Sequence, residues 1–348
     1  MNCEILETLY VKSNGDIPCN CDSGEQVILG KVELDDPTWD IRTVLTNNKY
    51  THIRTSLSSD IAPWGDICAK CALFRKNQPF SDRLRHMHIR KVQLEPSLTC
   101  NLDCPCCSSK KQRKTRNKPF LMKLEILETL MKSLSKHSYL VERVEYCGQG
   151  EPLMHPKFSE FVNIVKLYYP NVSQLLITNG NFDYWKVTRG LYIDTIYVSC
   201  DGVFQKSYEK YRIGGNVDLA IKFMKDIPKT LDGKKQRILW KYILFEFNDS
   251  KEELIAAQRL AHSIGIDTLM FVFTHSRFKS VKYRPENILD LPIIYPNVTT
   301  NITPQFLTKD MTLLNIMKKK RFLKQQIMSP IFSVFSMLRK KMRALLSF

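Results

Sequence analysis

The chain has 348 residues, 43% hydrophobic and 25% charged, a globular balance that excludes global disorder and leaves room for one full α/β domain plus a smaller module. Its formal net charge of +17 favours anionic partners such as nucleic acid, acidic lipid or a phosphorylated substrate, without choosing among them. No uninterrupted apolar stretch reaches the length of a membrane span, and the first residues lack the basic-then-apolar pattern of a secretory signal.

The first region runs from residue 1 to about 85 and carries cysteines in two close pairs. Cys19 and Cys21 follow a turn at Asn14-Gly15-Asp16, and Cys68 and Cys71 follow Trp64-Gly65-Asp66. A strand-like stretch at 26–32 and a helical piece beginning near Trp39 lie between them. Eleven cysteines without a secretory signal are expected to be cytoplasmic, reduced and metal-bound rather than disulfide-paired. Brought together, Cys19, Cys21, Cys68 and Cys71 make a four-thiolate site suited to zinc or to an iron–sulfur cluster with every iron protein-ligated. Cys3, Cys147 and Cys200 read as small buried residues, because free cysteine packs as a small hydrophobe.

The second region, 86–285, alternates strands and amphipathic helices. Strands are expected at 90–97, 142–147, 173–178, 194–200, 237–247 and 268–274, each an apolar, β-branched or aromatic run bounded by turn residues. Helices are expected at 120–136, 157–168, 182–189, 216–226 and 250–264; the last starts at a capping sequence near Ser250 and stops at Gly265. Six such repeats predict a parallel sheet with ligands at the carboxyl ends of its strands. The expected fold class is α/β: a partial (β/α)6 barrel with a small N-terminal cysteine-rich metal-binding module and a basic C-terminal helix.

Directly after the first of these strands, residues 99–107 read Thr-Cys-Asn-Leu-Asp-Cys-Pro-Cys-Cys, which spaces Cys100, Cys104 and Cys107 as C-x3-C-x2-C. A four-iron cubane normally takes four thiolates, so three local ones leave one iron open to an external ligand. Structural zinc sites instead favour paired C-x2-C units with a remote second pair. The second strand ends in Gly148-Gln149-Gly150-Glu151-Pro152, the third in Thr178-Asn179-Gly180, and the fourth in Ser199-Cys200-Asp201-Gly202. Tyr208 to Gly215 then includes Arg212. Glycines let a backbone approach a ligand closely, a carboxylate pairs with an ammonium group, and a guanidinium fork suits a carboxylate.

In their order and placement these segments resemble the radical S-adenosylmethionine (SAM) superfamily over about residues 88–275. The resemblance implies that Cys100, Cys104 and Cys107 hold a 4Fe-4S cluster and that SAM fills the vacant iron site. It further implies SAM-binding roles for Gly148, Gly150 and Glu151 (the ammonium), Asn179 and Ser199 (ribose or methionyl part) and Arg212 (the carboxylate). Cys106 stands where the family usually has an aromatic residue. The N-terminal cysteines resemble the auxiliary-cluster modules called SPASM or twitch domains over about residues 10–75, although that module normally follows the barrel. None of the seven histidines reads as catalytic, and no catalytic residue is assigned.

The third region, 286–348, begins as proline-containing loop and ends as basic helix. Residues 309–348 hold ten Lys or Arg against one Asp, and 328–346 place apolar side chains on one stripe with the charges mostly off it. Such a helix lies on an anionic membrane, in a partner's groove, or on its own domain. The other basic run, 110–118, lacks interleaved aromatics and reads as a solvated loop, so a nucleic-acid partner is not expected.

The resemblance thus implies an oxidoreductase or modifying enzyme that cleaves SAM reductively to a 5′-deoxyadenosyl radical. It abstracts hydrogen from a peptide, sugar or other small molecule, draws electrons from a donor such as flavodoxin or ferredoxin, and carries a second iron–sulfur cluster or zinc. The alternative is a non-catalytic zinc or iron–sulfur protein whose basic segments grip nucleic acid or membrane. Either is cytoplasmic, with peripheral membrane contact through the tail as a further expectation.

Overall fold

The computed structural model describes residues 1–21, 26–107 and 121–302. The basic run at 110–118 and the amphipathic segment at 328–346 lie outside the described residues. The chain divides into two compact units, Met1–Lys241 and Tyr242–Phe348.

The first unit opens with the short strands β1 (Asn2–Cys3), β2 (Thr8–Val11), β3 (Asp16–Pro18) and β4 (Ile28–Lys31). Helices α1 (Ile41–Leu45), α2 (Asn48–Ser58) and α3 (Gly65–Ala69) follow, then β5 (Phe74–Arg75). From there strand and helix alternate: β6 (Lys91–Leu94), α4 (Leu124–Lys136), β7 (Arg143–Tyr146), α5 (Phe158–Tyr168), β8 (Ser173–Thr178), α6 (Tyr184–Thr188), β9 (Thr195–Ser199), α7 (Val217–Asp226) and β10 (Arg237–Ile243).

Strands β2, β6, β7, β8, β9 and the first five residues of β10 pair in that order, all parallel. Leu94 aligns with Tyr146, Tyr146 with Leu176, and Thr178 with Val198, so the carboxyl ends of neighbouring strands fall along one edge. Val92, Leu94, Val144, Leu176, Ile196, Val198, Ile238 and Trp240 are all buried. They fall on alternate positions, in register from strand to strand, and so line one face of the sheet.

The helices bury one stripe each. In α4 the buried positions Ile126, Leu127, Leu130, Met131 and Leu134 follow the 3.6-residue period. Each such side chain taken fully out of water contributes about 1.5–3 kcal/mol. The Asn216 side chain caps α7 by accepting from Leu219 N at 3.0 Å.

The second unit, taken by itself, contains α8 (Lys251–Ser263), β11 (Thr268–Val272) and β12 (Val298–Thr300), the two strands running parallel. Ser250 caps α8 through Glu253 N at 3.1 Å, and Gly265 ends the turn beyond it at φ +68°. Both match the expected start and stop. Leu254, Ala257 and Ala261 of α8 are buried, as are Leu269 and Phe271.

The fold class is the expected one, a mixed α/β protein with a parallel sheet, and the six anticipated strands and five anticipated helices are all present. Two further parallel strands, β2 and β12, were not anticipated. Each is only three or four residues long, too short for an alternation to show in sequence. The division at residues 85 and 285 stays a reading of the sequence alone; β2, from the first of those stretches, hydrogen-bonds beside β6 in the same sheet.

Candidate SAM and iron–sulfur site

The cysteine loop hangs from the end of β6. Glu95 N donates to Val11 O at 3.0 Å, Met122 N to Pro96 O at 2.9 Å, and Ser97 forms an antiparallel bridge with Leu121. Thr99 N donates to Ser97 Oγ at 3.0 Å, which turns the chain into the cysteines. Leu102 N then donates to Cys100 Sγ at 3.5 Å and Cys107 N to Cys104 O at 3.1 Å. Cys104 is buried, while Cys100, Cys106 and Cys107 are half-buried. Burial pushes the Cys104 thiol up to about 11; the Arg212 cation opposes this, and Asp201, Cys107 and Cys100 add to it.

The two glycines at the end of β7 are required by this loop. A Cβ on Gly150 would sit 2.3 Å from Ser97 O and 2.6 Å from Thr99 O, both backbone atoms. On Gly148 it would meet Glu95 Cγ at 2.4 Å. The close approach that glycine allows is therefore first of all an approach of β7's end to the cysteine loop. Glu151 N clamps the contact by donating to Thr99 O at 2.7 Å.

The Glu151 side chain is buried and faces β8 rather than open solvent. Its Oε1 accepts from Thr178 Oγ1 at 2.7 Å and its Oε2 from Asn179 N at 2.8 Å. Burial pushes this carboxyl up to about 7, against the pull of those donors and of Arg212. Glu151 thus fixes the end of β8.

Beyond β8 and β9 two donors reach the cysteines. Asn179 Nδ2 donates to Asn101 Oδ1 at 2.8 Å and lies 3.9 Å from Cys100 Sγ. Arg212 Nε donates to Asp201 Oδ2 at 2.7 Å, and its Nη1 lies 3.9 Å from Cys104 Sγ. The Asp201 carboxylate and the neighbouring sulfur raise the pKa of Arg212 although its burial alone would lower it. Ser199 is buried at the end of β9, in register with Lys241. Of the residues singled out from sequence, the structure brings Cys100, Cys104, Gly150, Glu151, Asn179 and Arg212 into one connected network.

Four participants were not assigned from the sequence. Glu95 is buried and accepts from Gln149 N at 2.7 Å and from Ser13 Oγ at 3.1 Å, which ties three segments together. Asp201, fully buried, is the counter-ion of Arg212. Asn101 and Asn181 join the cysteine loop to the loop after β8, through Asn101 Nδ2 to Asn181 O at 3.2 Å. Glu95 follows directly on β6 and Asp201 stands two residues beyond β9, but the partners that mark them lie far along the chain. His155, in contrast, is structural; Lys157 N donates to its Nδ1 at 3.1 Å and its Nε2 meets Met122 O at 3.0 Å.

The N-terminal cysteines fall into two places. Cys19, Cys68 and Cys71 line one cavity, and Cys21 lines another, beside Cys147, Gly148 and Gln149. Among the described residues, no three His, Cys, Asp or Glu side chains already converge as around a single metal ion. The fit of the 100–107 loop to an iron–sulfur cluster rests on its donor set: soft sulfur ligands on one short loop, met by a backbone N–H, an amide and a guanidinium. Such donors stabilise thiolates, which a cluster requires.

A model of the Radical SAM superfamily matches residues 94–239. A "UPF0026 protein" of Helicobacter pylori strain ATCC 700392 / 26695 is 24% identical over 238 residues, covering 64% of this chain and 75% of that protein. A "7,8-dihydro-6-hydroxymethylpterin dimethyltransferase" of Methanocaldococcus jannaschii is 27% identical over 114 residues, covering 31% of this chain and 22% of that one. Among solved structures, Streptococcus suis SuiB bound to S-adenosylmethionine aligns at 18% identity and TM-score 0.45, over 58% of this chain and 45% of SuiB. The chain therefore spans less than half of that SuiB chain. Residues 94–239, which contain the cysteine triplet, the Gly148–Glu151 turn, Asn179 and Arg212, make up a radical SAM superfamily domain in this chain.

Proposed function

We propose that this protein is a radical SAM oxidoreductase or modifying enzyme in which Cys100, Cys104 and Cys107 hold a 4Fe-4S cluster. Gly148, Gly150, Glu151, Asn179, Ser199 and Arg212 bind SAM beside it. When bound, the cluster and SAM together supply a one-electron cleavage to methionine and a 5′-deoxyadenosyl radical that takes hydrogen from a substrate carbon.

The chain's own part is to hold, orient and exclude water. Leu102 N and Asn179 Nδ2 support the Cys100 sulfur, and Arg212 supports Cys104. Asp201 keeps the Arg212 fork aimed while leaving part of it for an anionic group. Glu151 offers a buried carboxyl to an ammonium and braces β8 at the same time. The single observation that supports this reading most is the convergence of Asn179 and Arg212, from two different strand ends, on the sulfurs of Cys100 and Cys104.

The substrate we assign only by class, a peptide, sugar or other small molecule, with a flavodoxin or ferredoxin as electron donor. We assign the reaction to a reducing compartment such as the cytoplasm, where thiols remain available to iron. A second metal centre in the N-terminal region, an iron–sulfur cluster or zinc, completes the proposal.

The test is formation of 5′-deoxyadenosine from SAM by anaerobically reconstituted protein with dithionite. The wild type should form it, and the Cys100→Ala, Cys104→Ala, Cys107→Ala triple variant should not. Zinc without acid-labile sulfide, together with intact SAM, would instead favour a non-catalytic metal-binding protein.

A further inference from the structure

The sequence pairs Cys19 with Cys21 and Cys68 with Cys71, but space sorts these thiols differently. Cys3, Cys19, Cys68 and Cys71 line one cavity, whose other walls include Ile5, Ile53, Trp64 and Phe74. Cys21 is exposed and lines the separate cavity beside Cys147. Cys3 lies ahead of both pairs in the sequence, and its place is set by backbone. Strand β1 pairs antiparallel with β5, which aligns Cys3 with Phe74, and Glu4 N donates to Leu73 O at 3.3 Å. Phe74 N in turn donates to Cys71 O at 3.2 Å, and Cys71 N to Cys68 O at 3.1 Å. One continuous run of backbone bonds therefore links the strand of Cys3 to the C-x2-C turn.

We propose that Cys3, Cys19, Cys68 and Cys71 are the four thiolate ligands of the second metal centre, and that Cys21 is not one of them. This rests on the N-terminal metal centre of the proposed function, and it changes the ligand set read from spacing. Thiophilic metal, as an iron–sulfur cluster or as zinc, is the chemistry that such a set takes.

Two observations carry it. The cavity walls apart from the thiols are mainly apolar, so the four cysteines line a space where water solvates them poorly. Thiols there gain little from ionising alone, and a cation resolves the repulsion between them. Next, two of the sulfurs already accept hydrogen bonds of the kind seen at Cys100. Val27 N donates to Cys19 Sγ at 3.4 Å and Asn20 Nδ2 lies at 3.6 Å, while Trp64 N donates to Cys68 Sγ at 3.4 Å. Donors at ligand sulfurs orient them and tune the metal.

The experiment uses the full-length chain carrying Cys100→Ala, Cys104→Ala and Cys107→Ala, so that SAM cleavage plays no part in the readout. Iron, zinc and acid-labile sulfide are counted after anaerobic reconstitution, in this background and with Cys3→Ser or Cys21→Ser added. The background should retain about four irons and four sulfides, or about one zinc, per chain. Cys21→Ser should leave the count unchanged, and Cys3→Ser should reduce it at least several-fold.

Should Cys3→Ser keep some metal, X-ray absorption should show about three sulfur ligands from protein instead of about four. A circular-dichroism melt separates loss of ligand from loss of fold. The proposal is overturned if the background binds no metal, or if Cys21→Ser loses it while Cys3→Ser keeps it with an unchanged spectrum. Because cysteines 100, 104 and 107 are removed, either result leaves the SAM reading to its own test.

Discussion

Arg212 and Asp201 form a buried pair, with Nε 2.7 Å from Oδ2 and side chains 11% and 0% exposed. The same guanidinium reaches Cys104 Sγ with Nη1, so one cation serves a carboxylate and a candidate cluster thiolate at once. Leaving either partner alone in that environment is costly, because a buried charge loses its compensation. Arg212→Met is therefore expected to destabilise the protein by about 3 kcal/mol. Adding Asp201→Asn should recover most of that loss in chemical denaturation. SAM affinity should not recover: both variants should bind SAM at least about tenfold more weakly, the loss of one charge-assisted bond. Equal recovery of stability and SAM binding would remove Arg212 from the SAM site.

Gly150 and Gly148 differ in what a methyl group would strike. At Gly150 it meets fixed backbone, Ser97 O at 2.3 Å and Thr99 O at 2.6 Å; at Gly148 it meets the Glu95 side chain at 2.4 Å. Gly150→Ala should cost about 3 kcal/mol or more and lower the iron bound by the 100–107 loop. Gly148→Ala should cost about 1–2 kcal/mol, since a side chain can move where a carbonyl cannot. Urea midpoints and iron counts on the two variants decide the order, and the reverse order would contradict the packing described.

The Glu151 carboxyl, pushed from 4.5 up to about 7 by burial, makes the folded chain bind that proton more tightly than the unfolded one. Its stabilisation is complete below pH 4.5 and is lost as pH rises through 7. The span corresponds to about 3 kcal/mol. The stability difference between wild type and Glu151→Gln, measured by denaturation from pH 4.5 to 8, should therefore move against the wild type with rising pH. A difference that stays flat would mean that Thr178 and Asn179 already hold the carboxylate ionised.

Much of this was legible in the sequence, and the reasons are specific. Strands such as Ser173–Thr178 and Arg237–Ile243 are long enough for their apolar character to show, and Ser250 and Gly265 mark their helix ends by chemistry that acts locally. Strands β2 and β12 were not legible, because three or four residues carry no period. The cysteine triplet stood out by its close spacing and the Gly148–Glu151 turn by its composition, although what Gly150 approaches is the distant backbone of Ser97 and Thr99. Asp201 and Glu95 did not, since a buried acid declares itself only through partners far along the chain, Arg212 in one case and Ser13 in the other. Cys3 is the clearest example: spacing offers Cys21, two residues from Cys19, whereas the β1–β5 pairing carries Cys3 to the cavity.

The central claim is that one iron of the cluster on Cys100, Cys104 and Cys107 is left for SAM. The most direct measurement is electron–nuclear double resonance on the reduced, reconstituted protein with SAM labelled at its amino nitrogen and carboxylate oxygens. The account predicts hyperfine coupling of the cluster to both labels, lost in the Cys100→Ala, Cys104→Ala, Cys107→Ala variant. A reduced cluster whose spectrum ignores both labels would contradict it.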